Sequence, residues 1–306
     1  MRAVVYDRYS TNLDDLEVRE VPEPKLPPAS VLIEVRAAGV NPVDWKVMAG
    51  GLDALMPVHF PVIPGWDVAG VVVAVGLDTP EFAVGDEVMA YARKDTVSAG
   101  TFAARVAVPV SAVARKPASL SWEEAGALPL AGGTALRSID ALGDLSGRTV
   151  LIHGAAGGVG GFAVQIAAAR GAKVIGTASE GNHEYIRSLG GEPTTYGEGV
   201  AARVREIAGG TVDAVADFIG GQLDTTLEVL GEGGAHVSTA DPKVMSHDGR
   251  YIWVRPDGSQ TARLAELVDE GLLRVEVAET FALDGVADAF QASMSGHTRG
   301  KLVIVP

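Results

Sequence analysis

The stretch His153-Gly154-Ala155-Ala156-Gly157-Gly158-Val159-Gly160 constrains this chain more than any other. It follows the apolar run Thr149-Val150-Leu151-Ile152 and opens a segment in which Val159, Phe162, Ala163, Ile166 and Ala167 recur at helical spacing. Strand, glycine turn and helix in this order predict a βα unit able to receive a pyrophosphate. The glycines let the backbone come close, and the helix N-terminus offers free N–H donors and the positive end of its dipole. The spacing is A-x-G-x-x-G, with Ala155 where the usual motif has its first glycine. A tight Ala/Gly turn in any α/β protein reads the same way. A second apolar strand, Lys173-Val174-Ile175-Gly176-Thr177, begins where a crossover helix would return, and this points to a Rossmann-type half.

A chain of 306 residues has room for two domains, and its 47% hydrophobic and 21% charged fractions describe an ordinary soluble globular protein. The absence of cysteine excludes disulfides, thiolate chemistry and every cysteine-containing zinc site. A net charge of −14 disfavours nucleic acid and anionic membranes as partners. No apolar run is long enough to cross a bilayer and no signal-like stretch follows Arg2, so a cytoplasmic location is expected.

Up to about residue 120 the chain alternates short β-rich runs with Pro, Gly and Asp punctuation: Arg2 to Asp7, Leu16 to Val21, Val31 to Ala38, Val68 to Val75, Glu87 to Tyr91 and Phe102 to Val108. This half is predicted to be β-barrel-like, with one helix from Pro42 to Ala49. Ser121-Trp122-Glu123-Glu124 has capping-box form, and Leu128 to Leu142 continues as helix. From Thr149 onward strands and helices alternate, which implies a parallel sheet covered on both faces. Leu283 to Met294 and Lys301 to Val305 close the chain as a helix and a strand.

A set of short words in this order resembles the medium-chain dehydrogenase/reductase superfamily, and within it the zinc-independent quinone oxidoreductases related to zeta-crystallin. The words are Ala38-Gly39-Val40-Asn41-Pro42-Val43-Asp44-Trp45-Lys46, Pro64-Gly65-Trp66-Asp67-Val68-Ala69-Gly70, Val84-Gly85-Asp86-Glu87-Val88, Gly100-Thr101-Phe102-Ala103, Leu128 to Ala135, the Ala155-to-Gly160 loop and Arg299-Gly300-Lys301. The resemblance implies an α/β protein: a GroES-like β-barrel catalytic domain over 1–120 and 276–306, and a Rossmann doubly wound parallel-sheet domain over 121–275. It places the active site in the cleft between them, and a homodimer is expected by analogy.

On this reading Ala156, Gly157, Gly158, Val159 and Gly160 hold the pyrophosphate. The acidic residue that binds a ribose diol belongs about 20 residues past the glycine turn, at the end of the second strand. Thr177, Ala178 and Ser179 stand there without a carboxylate, which favours NADPH; Glu180 lies next door, followed by Asn182 and His183. Ser179, Asn182 and His183 are equally suited to helix capping. By resemblance Asn41 and Thr134 face the nicotinamide, Tyr196 the adenosine and Lys301 the phosphates. Phe218 and Gly220, just past a parallel strand, would border the cofactor.

Zinc-dependent relatives use a Cys, a His and a further Cys or acidic ligand; here Trp66 stands in the histidine position, and His59, Asp44 and Asp67 are scattered. Asp44 and Asp67 are expected to tie loops by hydrogen bonds. Without a Lewis acid, the acceptors that need least help are quinones and enones, whose developing negative charge is delocalised. Trp45, Lys46, Trp66, Tyr91 and Trp253 are the candidate walls and donors of the acceptor pocket, with core packing or a solvated charge as their ordinary alternatives. An enoyl reductase of a biosynthetic, polyketide-like intermediate shares this chemistry. A zinc alcohol dehydrogenase and a cofactor-binding protein of little turnover remain as further readings.

Overall fold

The computed structural model describes residues 1–306 and divides into two compact units. The first comprises Met1–Leu130, Arg255–Glu270 and Val275–Pro306; the second comprises Ala131–Val254 and Gly271–Arg274.

In the first unit the eleven-residue strand Ser30–Val40 is the hub. Its early part pairs with Arg105–Pro109, its middle with Asp67–Val75, and its end with the C-terminal strand Lys301–Val305, all antiparallel. Register shifts at Leu32/Ile33 and Val35/Ala37 bend the strand so that one segment can serve three neighbours. Val277–Ala282 extends the sheet on one side, and Glu87–Tyr91 with Val113–Arg115 on the other. This is the GroES-like part. Val31, Ile33 and Val35 are buried in alternation with less buried neighbours, whereas Val68, Val88 and Val303 lie in continuous buried runs, as strands covered on both faces do.

The capping box at Ser121 forms as the sequence predicts: Glu124 Oε2 accepts from Ser121 N at 2.8 Å and Ser121 Oγ from Glu124 N at 3.2 Å. The helix it starts, Trp122–Ala127, packs on Ser30–Val40 and Asp67–Val75, and a second helix, Gly258–Asp269, packs on Val113–Arg115. Both fall inside the 121–275 span expected for the parallel-sheet domain, yet both cover the barrel. The apolar stripe of a helix records that it must be buried, not against which sheet.

The second unit carries a six-stranded sheet in the order Gly191–Thr194, Lys173–Thr177, Thr149–His153, Val212–Asp217, Leu230–Ser238, Arg250–Tyr251, every neighbouring pair parallel. Numbered along the chain this is 3-2-1-4-5-6, the doubly wound Rossmann order. Its switch point lies between Thr149–His153 and Val212–Asp217, at whose carboxyl ends ligands of such sheets sit. Leu151, Ile175, Val204, Val212, Val215 and Val229 form the core beneath it. Residues Gly271–Arg274 rejoin this unit through Arg274: Gln165 Oε1 accepts from Arg274 N at 2.9 Å, Gln165 Nε2 donates to Arg274 O at 3.1 Å, and the Arg274 guanidinium donates to Ser188 Oγ at 2.5 Å.

Candidate active site

In the second unit the turn from strand to helix begins at Gly154, whose φ of +72° is left-handed. A Cβ on Gly160 would lie 2.1 Å from Gly154 O, so only glycine lets the helix Gly160–Ala169 start this close to the strand end. Ala155 in place of the motif's first glycine is accommodated across the sheet. Its Cβ fills the space that Gly176 leaves, where a side chain would approach it to 2.7 Å. The backbone N–H groups of Val159 and Gly160 donate to no acceptor in the protein, and Val159 precedes the helix without a side-chain cap. The cradle thus offers unspent donors at the positive end of a helix, the arrangement a diphosphate requires.

Beneath the cradle a row of polar residues closes four adjacent strands: Thr177, His153, Asp217 and Ser238. Thr177 Oγ1 accepts from Gly154 N at 3.2 Å and lies 3.5 Å from His153 Nδ1. Asp217 Oδ1 accepts from Ile219 N and Gly220 N, each at 3.0 Å, and its Oδ2 from Ser238 Oγ at 3.0 Å. Burial pushes the His153 imidazole down to about 4, against the pull of Asp217, so it is neutral at pH 7. The row holds both loops that frame the switch point. His153, Asp217 and Ser238 were not singled out from sequence, although each is the polar residue that ends an apolar parallel strand.

This placement corrects the role of Thr177. It is 1% exposed and its hydroxyl is engaged under the turn, so it cannot meet a ribose or its phosphate. Ser179 is exposed two residues on, with its hydroxyl accepting from Asn182 Nδ2 at 3.1 Å; His183 opens the helix His183–Ser188. Tyr196 is 58% exposed just past the edge strand, Phe218 is half-buried, and Thr134 is buried in the helix Pro129–Ala141.

In the first unit Asn41 caps the helix Pro42–Met48 and centres a buried cluster. Its Nδ2 donates to Asp67 Oδ2 at 2.9 Å, its Oδ1 accepts from Lys301 Nζ at 2.5 Å, and its backbone N donates to Asp44 Oδ2 at 2.8 Å. Lys301 Nζ also donates to Val40 O at 2.9 Å, and Leu130 N to Asp67 Oδ1 at 2.7 Å. Asp44 and Asp67 therefore do tie loops together. Two further roles change. The Lys301 ammonium, 5% exposed, is held by Asn41 and Val40, not free for a phosphate, and both ends of the Asn41 amide are engaged inside the cluster. Burial pushes Asp44 up to about 8 and Asp67 up to about 6, with Lys301 pulling both down; Lys301 is itself lowered by burial.

Next to this cluster a narrow cavity is lined by Asp44, Val47, Trp66, Lys94, Val97 and Gly100. Trp66 packs on Tyr91 at 6.2 Å between ring centroids, and burial raises the Tyr91 hydroxyl well above its usual pKa. Trp45 does not line the cavity; its Nε1 donates to Ser293 Oγ at 3.2 Å, and exposed Lys46 lies over its ring at 5.4 Å. Trp253 belongs to the second unit and is 42% exposed. Lys94 was not found from sequence, where it reads as one more loop lysine.

The side chains do not suit a zinc ion. There is no cysteine, no three His, Asp or Glu groups converge, and both oxygens of Asp67 are already committed.

Comparison with known proteins matches residues 27–118 to the alcohol dehydrogenase GroES-like domain and residues 194–304 to the zinc-binding dehydrogenase domain. The chain is 30% identical over 326 positions to the chloroplast envelope quinone oxidoreductase homolog of Arabidopsis thaliana, across all of this chain and 98% of that protein. It is 33% identical over 315 positions to the 2-methylene-furan-3-one reductase of Solanum lycopersicum, across all of this chain and 79% of that protein. Among solved structures, that of mycobacterial Rv1454c complexed with NADPH matches with a TM-score of 0.87 at 26% identity, covering all of both chains.

Proposed function

This chain belongs to the quinone oxidoreductase family of the medium-chain dehydrogenase/reductase superfamily, and from that premise we propose that it is a zinc-independent reductase passing a hydride from NADPH to a quinone or an α,β-unsaturated carbonyl compound. The observation that carries the reading is the cradle at Gly154 to Gly160, with the unspent N–H donors of Val159 and Gly160 at the switch point of a 3-2-1-4-5-6 sheet. When bound, NADPH supplies the hydride. The protein's part is to bind and orient. Gly158, Val159 and Gly160 take the diphosphate, while Thr177, His153 and Asp217 keep the two flanking loops in place.

Preference for NADPH rests on exposed Ser179 and Tyr196 beyond the strand end, where no carboxylate stands at position 179 to repel a 2′-phosphate. The NADPH complex of the mycobacterial neighbour supports it. The donor set around Asp44 and Asp67 offers no zinc ligation, so the acceptor must stabilise its own developing charge with few hydrogen bonds. Conjugated carbonyls and quinones do so by delocalisation, and the names of the plant relatives cover both.

The test is oxidation of NADPH, with NADH in parallel, by a simple quinone and a simple enone after exhaustive chelation. Turnover that prefers NADPH and survives chelation is expected. Cofactor binding without turnover would move the assignment to a specialised enoyl substrate or a non-catalytic role, and absence of any cofactor binding would end the argument from the cradle.

A further inference from the structure

Lys94 sits in the loop between the strands Glu87–Tyr91 and Val97–Ala99, and its side chain lines the cavity that Trp66 walls. Its ammonium donates one hydrogen bond, to Ala99 O at 3.0 Å, and takes part in no ion pair. An ammonium has three donors, so two are left without a protein acceptor. Burial lowers its pKa and no carboxylate offsets that shift. The acid that shares the cavity, Asp44, is pushed up to about 8 by its own burial and is largely neutral at pH 7. Exposed Lys46, stacked on Trp45, carries no such cost. Lys94 is half-buried, and a cation partly withdrawn from water without a counter-ion is destabilising, a cost relieved when negative charge arrives beside it.

We propose that Lys94 receives the negative charge that develops on the acceptor oxygen, which makes this narrow cavity the seat of that oxygen. The inference rests on the reductase reading above. Addition of a hydride, two electrons and one hydrogen, to the β-carbon of an enone drives the C=C π pair toward the carbonyl and leaves O⁻ on the enolate. A proton from water then reaches the α-carbon, and the carbonyl is restored. For a quinone, a hydride delivered to one carbonyl oxygen aromatises the ring and leaves the other oxygen as a phenolate, which water protonates. In each case one oxygen gains charge in the transition state, and Lys94 is placed to meet it in a partly dry cavity.

The experiment compares the wild type with Lys94→Met and Lys94→Arg. With a neutral enone and NADPH, Lys94→Met is expected to lower kcat and kcat/KM together by about 10²–10³, the range for loss of one oxyanion donor. The NADPH dissociation constant should be unchanged, and Lys94→Arg should recover part of the rate. Independently of turnover, 4-nitrophenol serves as a probe of a single-oxygen anion. The wild type should bind its yellow phenolate form, and Lys94→Met should bind it at least tenfold more weakly. An unchanged kcat in Lys94→Met, a change in acceptor KM alone, or phenolate binding that does not depend on Lys94 would overturn the proposal. Should the wild type reduce no quinone or enone while holding the phenolate through Lys94, the reductase reading fails and the anion site stands.

Discussion

Thr177 shows how position within a strand end decides a residue's task. Read along the chain it stands where a cofactor-selecting group belongs; in the fold it is buried and spends its hydroxyl on Gly154 N. Thr177→Val is therefore expected to lower stability by about 1–2 kcal/mol, the cost of one orphaned buried donor, and to leave the ratio of NADPH to NADH affinity unchanged. Ser179→Asp places a charge at an exposed site two residues further, and it should weaken NADPH more than NADH. Titration of both coenzymes, followed by fluorescence, separates the two positions. Lys301 teaches the same lesson in reverse, since a residue read as a phosphate ligand or a surface charge is the buried partner of Asn41.

At the scale of elements, the parallel sheet was legible because its four inner strands contain short apolar runs and the helices between them carry apolar residues at helical spacing. The strands that escaped notice had reasons to. Gly191–Thr194 contains Pro193 and begins with glycine, which only an edge strand tolerates, and Val58–Ile63 carries Pro61 within a mostly exposed run. The glycine turn was legible as a motif, but its dependence on Gly176 was not, because Ala155 and Gly176 meet only once the two strands are paired. Gly160→Ala would place a Cβ against the Gly154 carbonyl and force the helix away from the strand end. It should destabilise the second unit by roughly 1–3 kcal/mol and abolish coenzyme binding, as thermal melts with and without NADPH would record.

For the whole molecule, the Asn41 cluster joins the ends of the chain: Lys301 and Asn41 are 260 positions apart and hydrogen-bonded. Two carboxylates and one ammonium share this site, and both acids are raised above their ordinary values. A raised carboxyl means that the folded state holds a proton the unfolded chain would release. Its stabilising effect is complete below about pH 4 and is lost as pH climbs through about 6 for Asp67 and about 8 for Asp44. His153 has the opposite sign, because its lowered value makes the second unit more stable as pH rises from about 4 to 6.5. Trp45, Trp66 and Trp122 lie in the first unit and Trp253 in the second, so buried tryptophan fluorescence reports mainly the first. Between pH 6 and 8 its unfolding free energy should fall, by up to roughly 1.4 kcal/mol per pH unit for each proton involved. Asp44→Asn should flatten that slope; an unchanged slope would show that Asp44 does not carry the proton.

The amino-acid sequence by itself determined the inner strands of the parallel sheet, the capping box at Ser121 and the glycine cradle. These depend on periodicity and on backbone preferences that act within a few residues. Only the tertiary structure decided that Trp122–Ala127 and Gly258–Asp269 cover the barrel, that Lys301 faces Asn41, and that half-buried Lys94 has no counter-ion. Burial and partnership are properties of segments far apart in the chain, and a side chain acquires them when distant elements pack against it.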